Sequence, residues 1–131
     1  MPHWTDEYLG RPYDKINYNC GDLCLDVLRE QFGKEVDIPI ARQQHSWQEL
    51  SLIIATETPL HATPTLAPKD GDVVLMRYGQ RLKHVGIFLT YKGRNCVLHN
   101  LQRAGVCLHA VSTLGTGLVA HLAVEGYYRI P

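Results

Sequence analysis

The first half of the chain carries its apolar residues at helical spacing. Between Gly21 and Phe32, Leu23, Cys24, Val27 and Leu28 form one stripe, with Cys20 on the same side. Gly33 is placed to stop this helix. Ser46-Trp47-Gln48-Glu49 has the form of a capping box and predicts a second helix from Trp47 to about Ala55. Thr5 to Leu9 predicts a short helix, stopped by Gly10 and Pro12. The stretch Thr56 to Asp70 contains Pro59, Pro64 and Pro68 and reads as a loop.

After Asp70 the period changes. Asp72 to Tyr78, His84 to Tyr91, Asn95 to Leu101 and Gly105 to Val111 are rich in β-formers, and Val119 to Ile130 adds one or two strands. Helices first and an antiparallel meander afterwards predict an α+β fold. Its N-terminal helices pack on one face of a five- to six-stranded antiparallel sheet.

The chain has 131 residues, the size of one domain, and is read as a single catalytic unit over residues 1–131. Thirteen basic residues balance thirteen acidic ones, so nucleic acid and anionic membranes are not expected partners. No segment reads as a membrane span, and the N-terminus lacks the basic and apolar regions of a signal peptide. Synthesis in the cytoplasm is therefore expected. Four cysteines fit reduced thiols better than a disulfide framework.

One cysteine stands out. Cys20 lies where a loop becomes a helix, and unpaired N–H groups with a partial positive charge favour a thiolate there. A pKa below the usual 8.5 is the expectation. A cysteine nucleophile needs a base, and the base needs an orienting group. Of seven histidines, His3 falls near the terminus and His45 and His61 in or beside loops, whereas His84, His99, His109 and His121 fall in the sheet half.

Strand counting selects two of them. With Lys92-Gly93 as a two-residue hairpin turn, Tyr91 faces Arg94 and Gly86 faces His99. His84 is then a diagonal neighbour of His99 on the same sheet face, about 7–8 Å away between Cα atoms. Gly86 leaves room between the two rings. A Gly93-Arg94 turn puts Phe88 opposite His99 instead, and a three-residue loop puts the histidines on opposite faces. If the apolar side of the Cys20 helix packs on the histidine face, thiol and both imidazoles line up. His84 is then the general base and His99 its orienting partner. The Cys20 backbone N–H and a tyrosine hydroxyl are candidate oxyanion donors.

Other assignments compete. Cys20 and Cys24 with His84 and His99 make a possible zinc set, at a spacing unlike the usual structural knuckle. Cys24, Cys96 and Cys107 read as packing residues, and His109 and His121 as structural or exposed. Trp4, Trp47 and most tyrosines read as core and rim, with Tyr18 a candidate for the cleft.

Taken together, Gly10-Arg11-Pro12-Tyr13, Cys20, Asp70-Gly71-Asp72-Val73-Val74, His84-Val85-Gly86-Ile87-Phe88, Val97-Leu98-His99-Asn100 and Gly105-Val106 resemble the NlpC/P60 cysteine peptidases. The resemblance runs from about residue 8 to 112. It is closest to the phage-tail branch, through Tyr18-Asn19-Cys20 and Glu125-Gly126-Tyr127-Tyr128-Arg129. It implies a papain-like core and cleavage of peptidoglycan stem peptides. By motif, Cys20 matches the nucleophile, His84 the base, His99 the third polar residue and Tyr13 the tyrosine on the oxyanion side. It implies no metal or organic cofactor. The setting it implies is a phage or prophage tail, with other tail proteins as partners. Delivery would then be to the periplasm or cell wall. Where the family commonly has Asp-Cys-Ser-Gly, this chain has Asn19-Cys20-Gly21-Asp22. A CHAP-type amidase, a secreted toxin of the same chemistry and a non-catalytic tail assembly module are the alternatives.

Overall fold

The computed structural model describes residues 2–38 and 46–131. His45 lies outside the described residues. The order of elements is a 3-10 turn at Trp4–Glu7, α1 at Cys20–Phe32, α2 at Trp47–His61, then strands β1 (Thr63–Thr65), β2 (Val73–Tyr78), β3 (Leu82–Tyr91), β4 (Arg94–Leu101), β5 (Gly105–Ala110) and β6 (Leu122–Arg129). The sheet is six-stranded and antiparallel, in the order β1-β6-β2-β3-β4-β5.

The expected helices-then-sheet architecture is present, with two differences. First, α2 continues past Ala55 to His61 and carries Pro59 in its last turns. Proline there removes only one late backbone bond. The Thr56 and Thr58 hydroxyls also donate back to the Leu52 and Ile54 carbonyls at 2.8 and 2.7 Å. Second, the sheet is not a pure meander. β2 is buried over Val73–Met76 and needs strands on both sides. β6 returns to fill the far side, and the short β1, unexpected from sequence, pairs beyond it.

The hairpin between β3 and β4 is the two-residue one. Lys92 and Gly93 have φ of 50° and 76°, the positive pair that this tight turn requires. Tyr91 pairs with Arg94 and Gly86 with His99, as the strand count predicts.

The sheet has two buried faces. On one, Leu23, Val27 and Leu28 of α1 and Leu50 and Ile54 of α2 pack with Val85, Ile87, Leu89 and Leu98. On the other, Val74, Met76, Phe88 and Val97 are covered by Val119 and Leu122. By strand alternation His84, Gly86 and His99 belong to this second face. The helix therefore packs on the face opposite the histidines, which corrects the expected stacking. Val85 and Ile87 decide this, because they are the large apolar residues of β3 that α1 covers.

Candidate active site

The helix that carries Cys20 starts where it does because of its neighbours. The Asn19 side chain accepts from the N–H of Gly21 at 2.9 Å and of Asp22 at 3.2 Å, and Asp22 accepts from the Asn19 N–H at 3.0 Å. This is a reciprocal capping box. The departure from Asp-Cys-Ser-Gly thus keeps the helix start intact. Asn100 of β4 clamps the same corner, donating to the Tyr18 and Asn19 carbonyls at 2.9 and 3.4 Å.

Tyr13 is held from below. Gly10 N–H donates to Val106 O and Val106 N–H to Arg11 O, both at 2.9 Å. Gly105 lies under this segment with φ of 74°, and a Cβ there would sit 2.5 Å from the Arg11 carbonyl oxygen. Asp14 and Tyr18 exchange backbone bonds at 2.9 and 2.8 Å, closing the short loop between Tyr13 and Cys20.

A cleft opens at the end of the sheet, where β3 begins and β4 finishes. Tyr13, Cys20, Trp47, Tyr78, His84 and Asn100 line it. Because the cleft lies at a strand end, a helix residue and a residue of the opposite sheet face both reach it. The Val85 N–H, next along the chain from His84, points at the Cys20 sulfur. Cys20 and His84 are buried, at 3% and 6% exposure. Tyr13 is half-buried, and burial and then the nearby Cys20 push its pKa up.

Burial reverses the expected charge state of the thiol. Desolvation pushes Cys20 up to about 11, outweighing the helix-start N–H groups of Gly21 and Cys20 and the N–H of Val85. Desolvation likewise pulls His84 down to about 4. The resting pair is a neutral thiol and a neutral imidazole.

The histidines form a chain. His84 Nε2 lies 3.0 Å from His99 Nδ1, and His99 Nε2 lies 2.8 Å from His109 Nδ1. His84 Nδ1 has no protein hydrogen-bond partner among the described residues. His99 is fully buried, and its pKa falls well below the usual histidine value through burial and the neighbouring rings. His109, expected to be structural or exposed, is partly buried and is the third ring of the series. The same counting that pairs His84 with His99 finds it. With Gln102–Ala104 as a three-residue turn, Leu101 faces Gly105, His99 faces Cys107, and His109 lies on the next diagonal.

His99, Cys107 and His109 bring their ligand atoms within 4.8 Å of one another. Two imidazoles on one zinc stand about 3.3 Å apart for bonds of about 2.0–2.1 Å. The closest pair here is nearer, at 2.8 Å, and reads as a hydrogen bond. The zinc set expected as an alternative does not assemble either. Cys24 lines a separate apolar cavity with Leu28, Leu50, Ile54 and Val73.

The remaining candidates disperse. Tyr18 leaves the cleft lining, and its hydroxyl accepts from Arg11 at 3.0 Å. His61 ends α2 beside Glu57, His121 stacks on Tyr78, and His3 caps the first 3-10 turn. Trp47, Tyr78 and Asn100 are cleft residues that strand and helix periodicity does not single out.

A model of the NlpC/P60 family matches residues 8–121. The chain belongs to the NlpC/P60 family. No curated protein sequence matches it. NlpC/P60 membership points to cysteine peptidase or amidase chemistry on peptidoglycan, and the α+β fold of two helices on a six-stranded sheet agrees with the papain-like NlpC/P60 core. No helix among the described residues is long and apolar enough to cross a membrane.

Proposed function

We propose that the protein is a cysteine endopeptidase or amidase that cleaves peptidoglycan stem peptides, with Cys20 as nucleophile and His84 as general base. The observation that carries this is the shared cleft. Cys20 and His84 line one space, and His84 is hydrogen-bonded on its far side to His99.

The thiol gives its proton to His84 Nδ1 as the sulfur attacks the substrate carbonyl carbon. The Cys20 backbone N–H and the Tyr13 hydroxyl serve the oxyanion. On collapse the C–N bond breaks, and the amine leaves with the proton from His84. A thioester remains. Water then gives a proton to His84 and attacks the thioester, and the sulfur leaves as the thiol. His99 holds the His84 ring and stabilises its charged form. The resemblance of the Tyr18-Asn19-Cys20 and Glu125-Gly126-Tyr127 pieces to phage-tail members supports a role in a phage or prophage tail. There the protein would reach the periplasm or wall with the particle.

The test is digestion of purified peptidoglycan by wild type, Cys20→Ala and His84→Ala, with mass spectrometry of the fragments. Cleavage of a stem-peptide bond by wild type alone is the expected result. A folded wild type that releases no fragment would point to a non-catalytic assembly module, and an active Cys20→Ala would remove Cys20 as nucleophile.

A further inference from the structure

We propose that His109 is a positioning residue that sets which nitrogen of His84 carries the proton, acting through His99. This rests on the reading of Cys20 and His84 as nucleophile and base.

The argument is one of hydrogen-bond parity. A neutral imidazole has one N–H and one lone pair. His84 Nε2 meets His99 Nδ1 at 3.0 Å, and His99 Nε2 meets His109 Nδ1 at 2.8 Å. Both contacts are made only if the rings all point their N–H groups the same way. In one direction, His84 donates to His99 and His99 donates to His109. His84 Nδ1 is then a lone pair and can take the Cys20 proton. In the other direction, His109 donates to His99 and His99 donates to His84. His84 Nδ1 then carries hydrogen and is no base. The base at one end of the relay is switched by the donor or acceptor state at the other.

Burial grades the three rings. His84 and His99 are buried, and His109 is partly open. His109 therefore takes a proton from solvent before the other two. Once protonated, it has only N–H groups to offer, and the relay is driven into the incompetent direction. Among the described residues, the titratable groups facing it are His99 on β4 and Cys107 on its own strand. Desolvation lowers its pKa, and no charged neighbour contributes to that shift. Acid inactivation is thus built into the relay without any movement of the backbone.

The same logic separates two variants. His109→Leu leaves the buried His99 Nε2 facing carbon, which disfavours an N–H there. His99 then prefers Nδ1–H, the incompetent form. His109→Asp places a carboxylate oxygen near the Nδ1 position, which accepts from His99 Nε2–H and favours the competent form.

The experiment has two readouts. Ring-nitrogen NMR on histidine-labelled Cys20→Ala protein reports the His84 tautomer whether or not the enzyme turns over. The expected result is Nε2–H on His84 at neutral pH, changing to Nδ1–H as His109 titrates, with the transition absent in His109→Leu. Hydrolysis of wall peptide by the Cys20 enzymes gives kcat against pH. His109→Leu should lose between about tenfold and 100-fold in kcat, part of the roughly 10²–10⁴ that a general base supplies. His109→Asp should recover most of it and lose the part of the acid limb that follows His109, leaving the fall that follows His84 itself. A His84 tautomer indifferent to His109, or equal loss in Leu and Asp variants, would overturn the relay. If wild type cleaves nothing, the peptidase reading falls, and the spectra still decide the relay.

Discussion

Gly86 stands directly opposite His99 on the adjoining strand, and nothing larger fits there. A Cβ on Gly86 would lie 2.5 Å from Val97 Cγ2, 2.8 Å from the Leu98 carbonyl oxygen and 3.0 Å from His99 Cβ. The missing side chain lets His84, two residues earlier, reach diagonally to the His99 ring. Gly86→Ala should therefore cost about 1–3 kcal/mol, the usual range for overpacking. It should also lower kcat through the displaced His99. Chemical denaturation and peptidoglycan turnover measure the two effects, and a variant with wild-type values in both would refute the fit.

The Cys20 thiol is held neutral by burial, up to about 11. Alkylation by iodoacetamide in the free enzyme should climb steadily with pH above 8, with no plateau near neutrality. A fast, pH-independent reaction below pH 7 would mean that a thiolate–imidazolium pair already exists at rest.

Acid should destabilise the fold through the buried histidines. His84 is lowered to about 4, so the folded state refuses a proton that the unfolded state binds below pH 6.5. Stability is intact above that pH and falls as pH drops from 6.5 toward 4. His84 alone accounts for a loss of about 3 kcal/mol at the lower end. Calorimetric Tm values at pH 7, 5.5 and 4.5 should decline in that order, and His84→Asn should flatten the decline.

Asp72 ties the last strand to the sheet. Arg129 donates to both of its carboxylate oxygens at 3.0 and 2.8 Å, and the Lys69 N–H donates at 2.7 Å. Asp72 is buried while Arg129 is partly open. Asp72→Ala should cost about 3 kcal/mol by stripping a buried charge-assisted network. Urea unfolding checks this, and a change below about 0.5 kcal/mol, typical of exposed positions, would count against it.

Much of the site was legible because its determinants are local. Ser46 and Glu49 mark the start of α2, Lys92-Gly93 selects a two-residue hairpin, and alternation then pairs Gly86 with His99. The end of α2 was not legible, since Pro59 reads as a breaker while the packing of Leu50 and Ile54 carries the helix past it. β1 has only three residues and exists because β6 offers it an edge.

The sequence by itself determined the helix start at Cys20, the pairing of the two histidines and their register, because helix caps, tight turns and period-two alternation act between near neighbours. Only the tertiary structure decided which sheet face α1 covers and the charge state of Cys20. Those depend on desolvation and on strand pairings summed over distant segments. Burial by the whole fold outweighs the helix-start N–H groups at Cys20, and no local pattern records that sum.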